Sequence, residues 1–318
     1  MMNRNLLSVS ALAATFALVS CSAPAPASKA PARPKIALVL KTLNSPFFIE
    51  MQIGAQAAAD KAGLELVVQA AEREVDVEKQ MQIVENLLQT GIKALLITPS
   101  GSREIIPVLA KANAANIPII IVDTRVDAAA ATAAGVKTAT FIGSDNYEGG
   151  KSAGVELVAI SDGRANVAVL EGLPGHDTGD SRIRGFKEAI KATPGVKIVA
   201  SQTANWERDQ GFTVLQNMLQ AHPEIDSVFA CNDMMALGAL EAIAAANKTG
   251  KIRVLGFDAV DDARKAIKEG TMVASVAQFP GEMGRLGVES AAKLIKGEPI
   301  EADQHVRIEL IKKVEGVK

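Results

Sequence analysis

From Lys35 onward, short apolar runs rich in β-branched residues alternate with longer windows whose apolar residues recur at helical spacing. The runs are Ile36–Leu40, Leu64–Val68, Ala94–Ile97, Ile117–Val122, Ala139–Ile142, Asn166–Leu170, Val196–Ala200, Ser227–Ala230, Ile252–Gly256 and Met272–Val276. Between them stand helical windows such as Asp76–Gln89, Arg103–Ala115, Gly179–Ala192, Glu207–Ala221 and Asp233–Ala246. In Glu207–Ala221 the residues Phe212, Leu215, Met218 and Leu219 fall on one helix face. The extended runs are continuously apolar, the pattern of parallel strands covered on both sides. Repeated strand–helix alternation predicts an α/β fold with doubly wound parallel sheets. Ten strands exceed one Rossmann-like unit, so two lobes are expected, dividing near Gly143-Ser144-Asp145. No Gly/Ser-rich linker separates them, so the crossings are expected to be strand-like.

The N-terminus has a different pattern. Arg4 precedes a 14-residue apolar stretch, Leu6–Val19, which is shorter than the roughly 20 residues that span a bilayer. This is the layout of an export signal over residues 1–20. Its end, Leu18-Val19-Ser20-Cys21, resembles the lipobox of bacterial lipoproteins, a family in which this cysteine is lipidated. A plain secretory signal cleaved elsewhere is the alternative. Residues 21–34 are rich in Ala and Pro and cannot bury enough surface to fold. Extended at about 3.1 Å per residue, they form a tether of about 40 Å.

Charge narrows the partner classes. With 34 Lys and Arg against 36 Asp and Glu, the 318-residue chain is near neutral and shows no basic stripe for nucleic acid. Two cysteines are present; with Cys21 assigned to lipid, Cys231 stands alone in an apolar run and reads as a buried thiol. No cofactor or metal is expected. His176, His222 and His305 lack ligand spacing and read as surface or loop histidines; the cluster His176-Asp177…Asp180 is an alternative candidate for contact with a ligand or an ion.

Ligands of open parallel sheets sit beyond the carboxyl ends of the strands. Those positions hold Lys41 to Phe48, Asp123-Thr124-Arg125, Asp180-Ser181-Arg182, Asn205-Trp206, Asn232-Asp233, Phe257-Asp258 and Gln278. The chain has only nine Phe, one Tyr and one Trp. Phe47, Phe48, Trp206 and Phe257 all fall at strand ends beside Asp, Asn, Arg or Gln. Rings that stack on apolar sugar faces, beside groups that give and take hydroxyl protons, describe a sugar site. The alternative is that the rings pack the lobes and that Asn232 or Asp233 caps the following helix.

Three other motifs fail on context. Gly150-Lys151-Ser152-Ala153-Gly154 fits the nucleophile-elbow spacing but lies eight residues past its strand. As a phosphate loop, Gly150-Lys151-Ser152 has Asp145 where the first glycine is required. The first strand is followed by no Gly-x-Gly-x-x-Gly, which removes a dinucleotide site.

Seven segments, in order, then resemble the ribose- and allose-binding proteins, the type I periplasmic sugar receptors of bacterial ABC importers. They are Ile36 to Phe48; Ser144-Asp145-Asn146 with Gly149-Gly150; Arg182-x-x-Gly185-Phe186; Ala200-Ser201-Gln202; Asn232-Asp233-x-Met235-Ala236-Leu237-Gly238-Ala239; Gly256-Phe257-Asp258; and Val276-Ala277-Gln278. The resemblance spans nearly all of Lys35–Lys318. It implies two lobes joined by three hinge crossings near Ser144, Gln278 and Arg307. The N-terminal lobe would comprise 35–144 and 279–307, and the C-terminal lobe 145–278 and 308–318. It also implies a monosaccharide held between the lobes by Lys41, Ser45, Phe47, Phe48, Asp123, Thr124, Arg182, Trp206, Asn232, Phe257, Asp258 and Gln278. Delivery would be to an ABC permease with its ATPase, with a chemoreceptor as a further partner. The expected state is a monomer in the periplasm or cell envelope, touching membrane only through its lipid anchor.

The chain departs from the ribose pattern in three places. Asp123-Thr124 stands where that pattern has Asp-Arg, with Arg125 one step on. Lys41 replaces a small Ser, and Ser45 replaces an Asn. Lys41-Thr42-Leu43 is closer to the allose receptors. Two other classes have requirements that the sequence can be held against. A lactose-repressor-type regulator would need a helix-turn-helix headpiece where the signal and tether stand. A sugar-cleaving enzyme would need paired carboxylates, for which only Asp123 and Asp258 qualify. The expectation is a binding protein rather than an enzyme.

Overall fold

The apolar runs take extended form and assemble into two sheets in a computed structural model that describes residues 33–313. The expected export signal, Cys21 and the tether up to residue 32 lie outside the described residues, as do residues 314–318. The first sheet contains β1 (Lys35–Thr42), β2 (Glu65–Ala71), β3 (Leu95–Ile97), β4 (Ile119–Val122), β5 (Thr140–Gly143) and β11 (Asp303–His305), ordered β11-β5-β4-β3-β1-β2. The second contains β6 (Ala165–Glu171), β7 (Val196–Thr203), β8 (Ser227–Ala230), β9 (Arg253–Asp258), β10 (Ala274–Ala277) and β12 (Glu309–Lys312), ordered β12-β10-β9-β8-β6-β7. The two orders match position for position. All pairings are parallel except β10 with β12.

Central strands such as β3, β4, β8 and β10 are buried along their whole length, as continuous apolar sequence requires. The edge strands β2 and β7 are half-exposed. The sequence reading missed β11 and β12. They are short, partly exposed edge strands, so neither carries an apolar run.

Helices α1 (Pro46–Ala62), α2 (Val77–Leu88), α3 (Ile106–Ala114), α4 (Ala128–Ala133) and α10 (Pro280–Ile295) accompany the first sheet. Helices α5 (Asn146–Ile160), α6 (Asp177–Ile190), α7 (Arg208–Ala221), α8 (Asp233–Ala245) and α9 (Asp261–Glu269) accompany the second. The chain passes between the sheets three times: from β5 to α5, from β10 to α10, and from β11 to β12. Among the described residues no helix is long and apolar enough to cross a membrane.

One packing detail positions the site. Helices α5 and α6 touch backbone to backbone at Gly150 and Gly185; a Cβ at Gly150 would overlap the carbonyl of Arg182, and one at Gly185 the carbonyl of Tyr147. That approach brings Asn146 of α5 beside Arg182 of α6. Beneath them Phe186 stacks on Phe229 with ring centroids 4.4 Å apart. Gly150 to Gly154 therefore lies inside α5, away from any strand–helix turn.

Candidate functional site

A cavity lined from both sides lies between the two sheets; its empty space, counted with its opening to solvent, is about 290 Å³. The first side supplies Lys41 from the end of β1, Ser45, Phe47 and Phe48 from the start of α1, Glu74 after β2, and Asp123 after β4. The second supplies Thr178 and Arg182 from α6, Trp206 after β7, Asn232 after β8, Asp258 at the end of β9, and Gln278 after β10. Three of these residues hold left-handed backbone: Asp123 at φ 65°, Trp206 at φ 69° and Asp258 at φ 107°. Such conformations cost on the order of 1–3 kcal/mol each and persist where surrounding structure imposes them.

On the first side, buried Lys41 donates to Asp123 Oδ2 at 3.1 Å, and Thr124 Oγ1 donates to the same oxygen at 2.9 Å. Glu74 Oε2 lies 4.0 Å from Lys41 Nζ, beyond hydrogen-bond reach. Burial pushes the Glu74 carboxyl up to about 8, against the opposing pull of Lys41. Phe47 and Phe48 meet edge to face with centroids 5.1 Å apart, and Lys41 Nζ stands 5.5 Å from the Phe48 ring centre.

On the second side Arg182 is held from several directions. Its Nε donates to Asn146 Oδ1 at 2.8 Å, its Nη1 donates to the Cys231 carbonyl, and its guanidinium lies 3.7 Å over the Phe257 ring. Asp258 Oδ1 is 3.6 Å from Arg182 Nη1 and accepts a hydrogen bond from Gln278 Nε2 at 2.8 Å. Gln278 Oε1 is buried without a partner. Burial raises the Asp258 carboxyl to about 6, a rise limited by Arg182 and Gln278. Asn232 serves two ends: its Oδ1 accepts from Met235 N as the cap of α8, and its Nδ2 donates to the Trp206 carbonyl. The Trp206 ring lies against Gly172, where a Cβ would overlap it.

Three consecutive residues of the second side bond directly to the first. His176 Nε2 meets the Pro99 carbonyl at 3.2 Å, Asp177 N donates to Ser102 Oγ at 3.0 Å, and the Thr178 and Thr124 hydroxyls are 3.1 Å apart. His176 is therefore not the surface histidine the sequence implied. It is buried, packs edge-on against Trp206 at 5.6 Å, and has no partner for Nδ1. Burial holds its pKa well below the usual value, helped by the nearby Lys41.

Ten of the twelve sequence-derived candidates line this cavity; Thr124 and Phe257 stand behind it, orienting Asp123 and Arg182 respectively. Arg125 turns away to pair with Asp303 at 2.7 Å and to cover the Phe141 ring. Sequence reasoning missed Glu74 and Thr178. Glu74 lies three residues past the end of β2 and Thr178 is in the first turn of α6, and neither stands beside an aromatic residue that would mark it in the sequence. Cys231 is buried with its thiol pushed up to about 12, as the apolar run predicts.

Residues 36–299 match the model of the periplasmic binding protein domain. The chain belongs to the periplasmic binding protein family. Among members of this family, it is 39% identical over 302 residues to the ribose import binding protein of Escherichia coli K12, covering 95% of this chain and 98% of that one. It is 35% identical to a D-ribose/D-allose-binding protein of Pseudomonas aeruginosa, covering 92% and 93%. An ABC transporter periplasmic solute binding protein of Actinobacillus succinogenes 130z, crystallised with bound D-allose, superposes with a TM-score of 0.82 at 38% identity, covering 88% of this chain and 98% of that one. These relatives are import and solute binding proteins, and this chain, as a member of their family, is a binding receptor and not an enzyme.

Proposed function

We propose that this periplasmic binding protein captures one neutral monosaccharide, ribose, allose or a close relative, and delivers it to an ABC permease. The observation that carries the reading is the cavity itself. Three aromatic rings, three carboxyl groups, two cations and two amides converge on one small space between the two sides. That suits a small polyhydroxylated ring: flat apolar faces for stacking, and paired donors and acceptors for each hydroxyl. Gln278 Oε1, buried without a protein partner, supports the same reading. The names of the relatives agree with it.

The site set is the twelve residues read from the sequence with Glu74 and Thr178 added. The hinges are the three passages between sheets, near Ser144, Gln278 and Arg307, so that sugar closes the lobes as it binds. Lobe boundaries follow from these: 35–144 with 279–307, and 145–278 with 308–318. Export by residues 1–20, lipidation at Cys21 and a tethered monomer complete the proposal. A chemoreceptor is a further partner for the closed form.

Isothermal calorimetry against pentoses and hexoses tests the assignment. One site filled by a neutral monosaccharide is expected. No heat with any sugar, but tight binding of an amino acid or peptide, contradicts it.

A further inference from the structure

The carboxyl groups that line the cavity are Glu74, Asp123 and Asp258; the cations are Lys41 and Arg182. The cations are already committed. Lys41 bonds Asp123 at 3.1 Å, and Arg182 lies 3.6 Å from Asp258, whose remaining support comes from Gln278. Glu74 is the third carboxyl. Its side chain is about as buried as that of Asp258, and among the described residues no hydrogen bond reaches its carboxyl. A buried carboxylate without a dedicated cation or hydrogen bonds takes up a proton instead of carrying its charge.

We infer that Glu74 is a specificity-determining residue that works as a neutral acid, donating its O–H to an oxygen of the bound sugar while Asp123 and Asp258 accept. This inference rests on the monosaccharide reading above and deepens it. The charges around Glu74 act in both directions. Lys41 of β1 pulls Glu74 toward ionisation, while Asp123 after β4, Asp258 at the end of β9 and Glu207 before α7 all oppose it. The Glu207 charge is itself partly answered by Arg73 at 3.4 Å. Burial is the largest effect and also favours the neutral form. Glu74 lines the cavity, so an oxygen of a sugar seated there can accept the acid hydrogen. An all-acceptor floor would tolerate any hydroxyl. A fixed donor instead favours a sugar that presents an oxygen lone pair at that point, which distinguishes epimers.

The test compares Glu74→Gln with Glu74→Ala, titrating D-ribose and D-allose by calorimetry from pH 6 to pH 9. Gln keeps a neutral donor of nearly the same shape. Glu74→Gln is expected to bind within about 3-fold of the parent at pH 7, and Glu74→Ala to bind about 10-fold or more weakly. The parent's affinity should fall between pH 7 and pH 9, as ionisation removes the donor, while that of Glu74→Gln stays level. If Gln weakens binding as much as Ala does, or the parent's affinity rises with pH, Glu74 acts as an ionised acceptor and the inference fails. A parent that binds no sugar contradicts the monosaccharide reading separately. In that case the thermal midpoint of the unliganded protein still reads the protonation of Glu74. The midpoint should drop from pH 6 to pH 9 in the parent more than in Glu74→Gln; equal drops would overturn a neutral Glu74.

Discussion

Arg182 has almost no freedom: Asn146, the Cys231 carbonyl, Phe257 and Asp258 fix it from four directions. The group most exposed to loss is therefore Asp258, whose removal leaves that guanidinium without its carboxylate inside a desolvated cleft. A charge-assisted hydrogen bond contributes roughly 1.5–3 kcal/mol, and an orphaned partner adds to the loss. Asp258→Ala should weaken sugar binding by about 30- to 1,000-fold in a calorimetric titration. Trp206→Ala should cost less, since it removes stacking area without stranding a charge; a larger loss would reverse the ranking of charge over stacking. Lys41→Ser converts the clearest departure from the ribose pattern and should shift the ribose-to-allose affinity ratio. An unchanged ratio would show that Lys41, committed to Asp123, does not choose the sugar. Most of these residues were legible because they follow strands whose apolar runs are unambiguous. Glu74 was not, because its importance lies in a charge count across three loops that only the folded chain brings together.

The elements add closure. The segment His176–Thr178, at the start of α6, bonds to loops after β3 and β4 through Pro99, Ser102 and Thr124. These bonds join the two lobes without involving sugar, so they should slow its release. Ser102→Ala and His176→Ala are each expected to raise the dissociation rate about 2- to 10-fold with little change in association, as read by stopped-flow fluorescence. Equal dissociation rates would mean that the clasp adds nothing to closure. His176 also predicts a pH limb. Solvated in an open form, the imidazole has a pKa of about 6.5; buried in the clasp its pKa is well lower. Closure therefore favours the neutral ring, is fully supported above that value, and weakens as pH falls below it. His176→Ala should remove this acid loss of affinity. Only the neighbouring Asp177 and Asp180 set His176 apart in the sequence; its burial against a loop of the other lobe is visible only in the fold. The central strands and main helices were legible at once, whereas β11 and β12 were hidden because exposed edge strands need no apolar run.

At the scale of the whole molecule, two sheets of identical strand order face one another across a lined cavity, with three passages of chain between them. Stability should depend on pH in a definite direction. Glu74 and Asp258 are both raised by burial, to about 8 and about 6, so the folded form holds protons that the unfolded chain releases. Their contribution is fully present below about pH 4 and declines as pH rises, through about 6 for Asp258 and about 8 for Glu74, on the order of 1 kcal/mol per pH unit for each group in its range. The anchor is a separate matter. Cys21→Ser should release the protein from membranes without changing sugar affinity, and fractionation with membranes as before would place the lipid elsewhere. The repeated strand–helix alternation made the doubled architecture readable, whereas closure between the halves depends on contacts far apart in the chain. The central claim, that a monosaccharide bridges the lobes, is tested most directly by small-angle X-ray scattering with and without D-ribose and D-allose, beside a thermal melt. Sugar at 100 times its dissociation constant should hold the molecule in its compact closed form and add about 2.7 kcal/mol to its stability. A scattering profile and melting midpoint that neither sugar nor any other pentose or hexose alters would contradict the account.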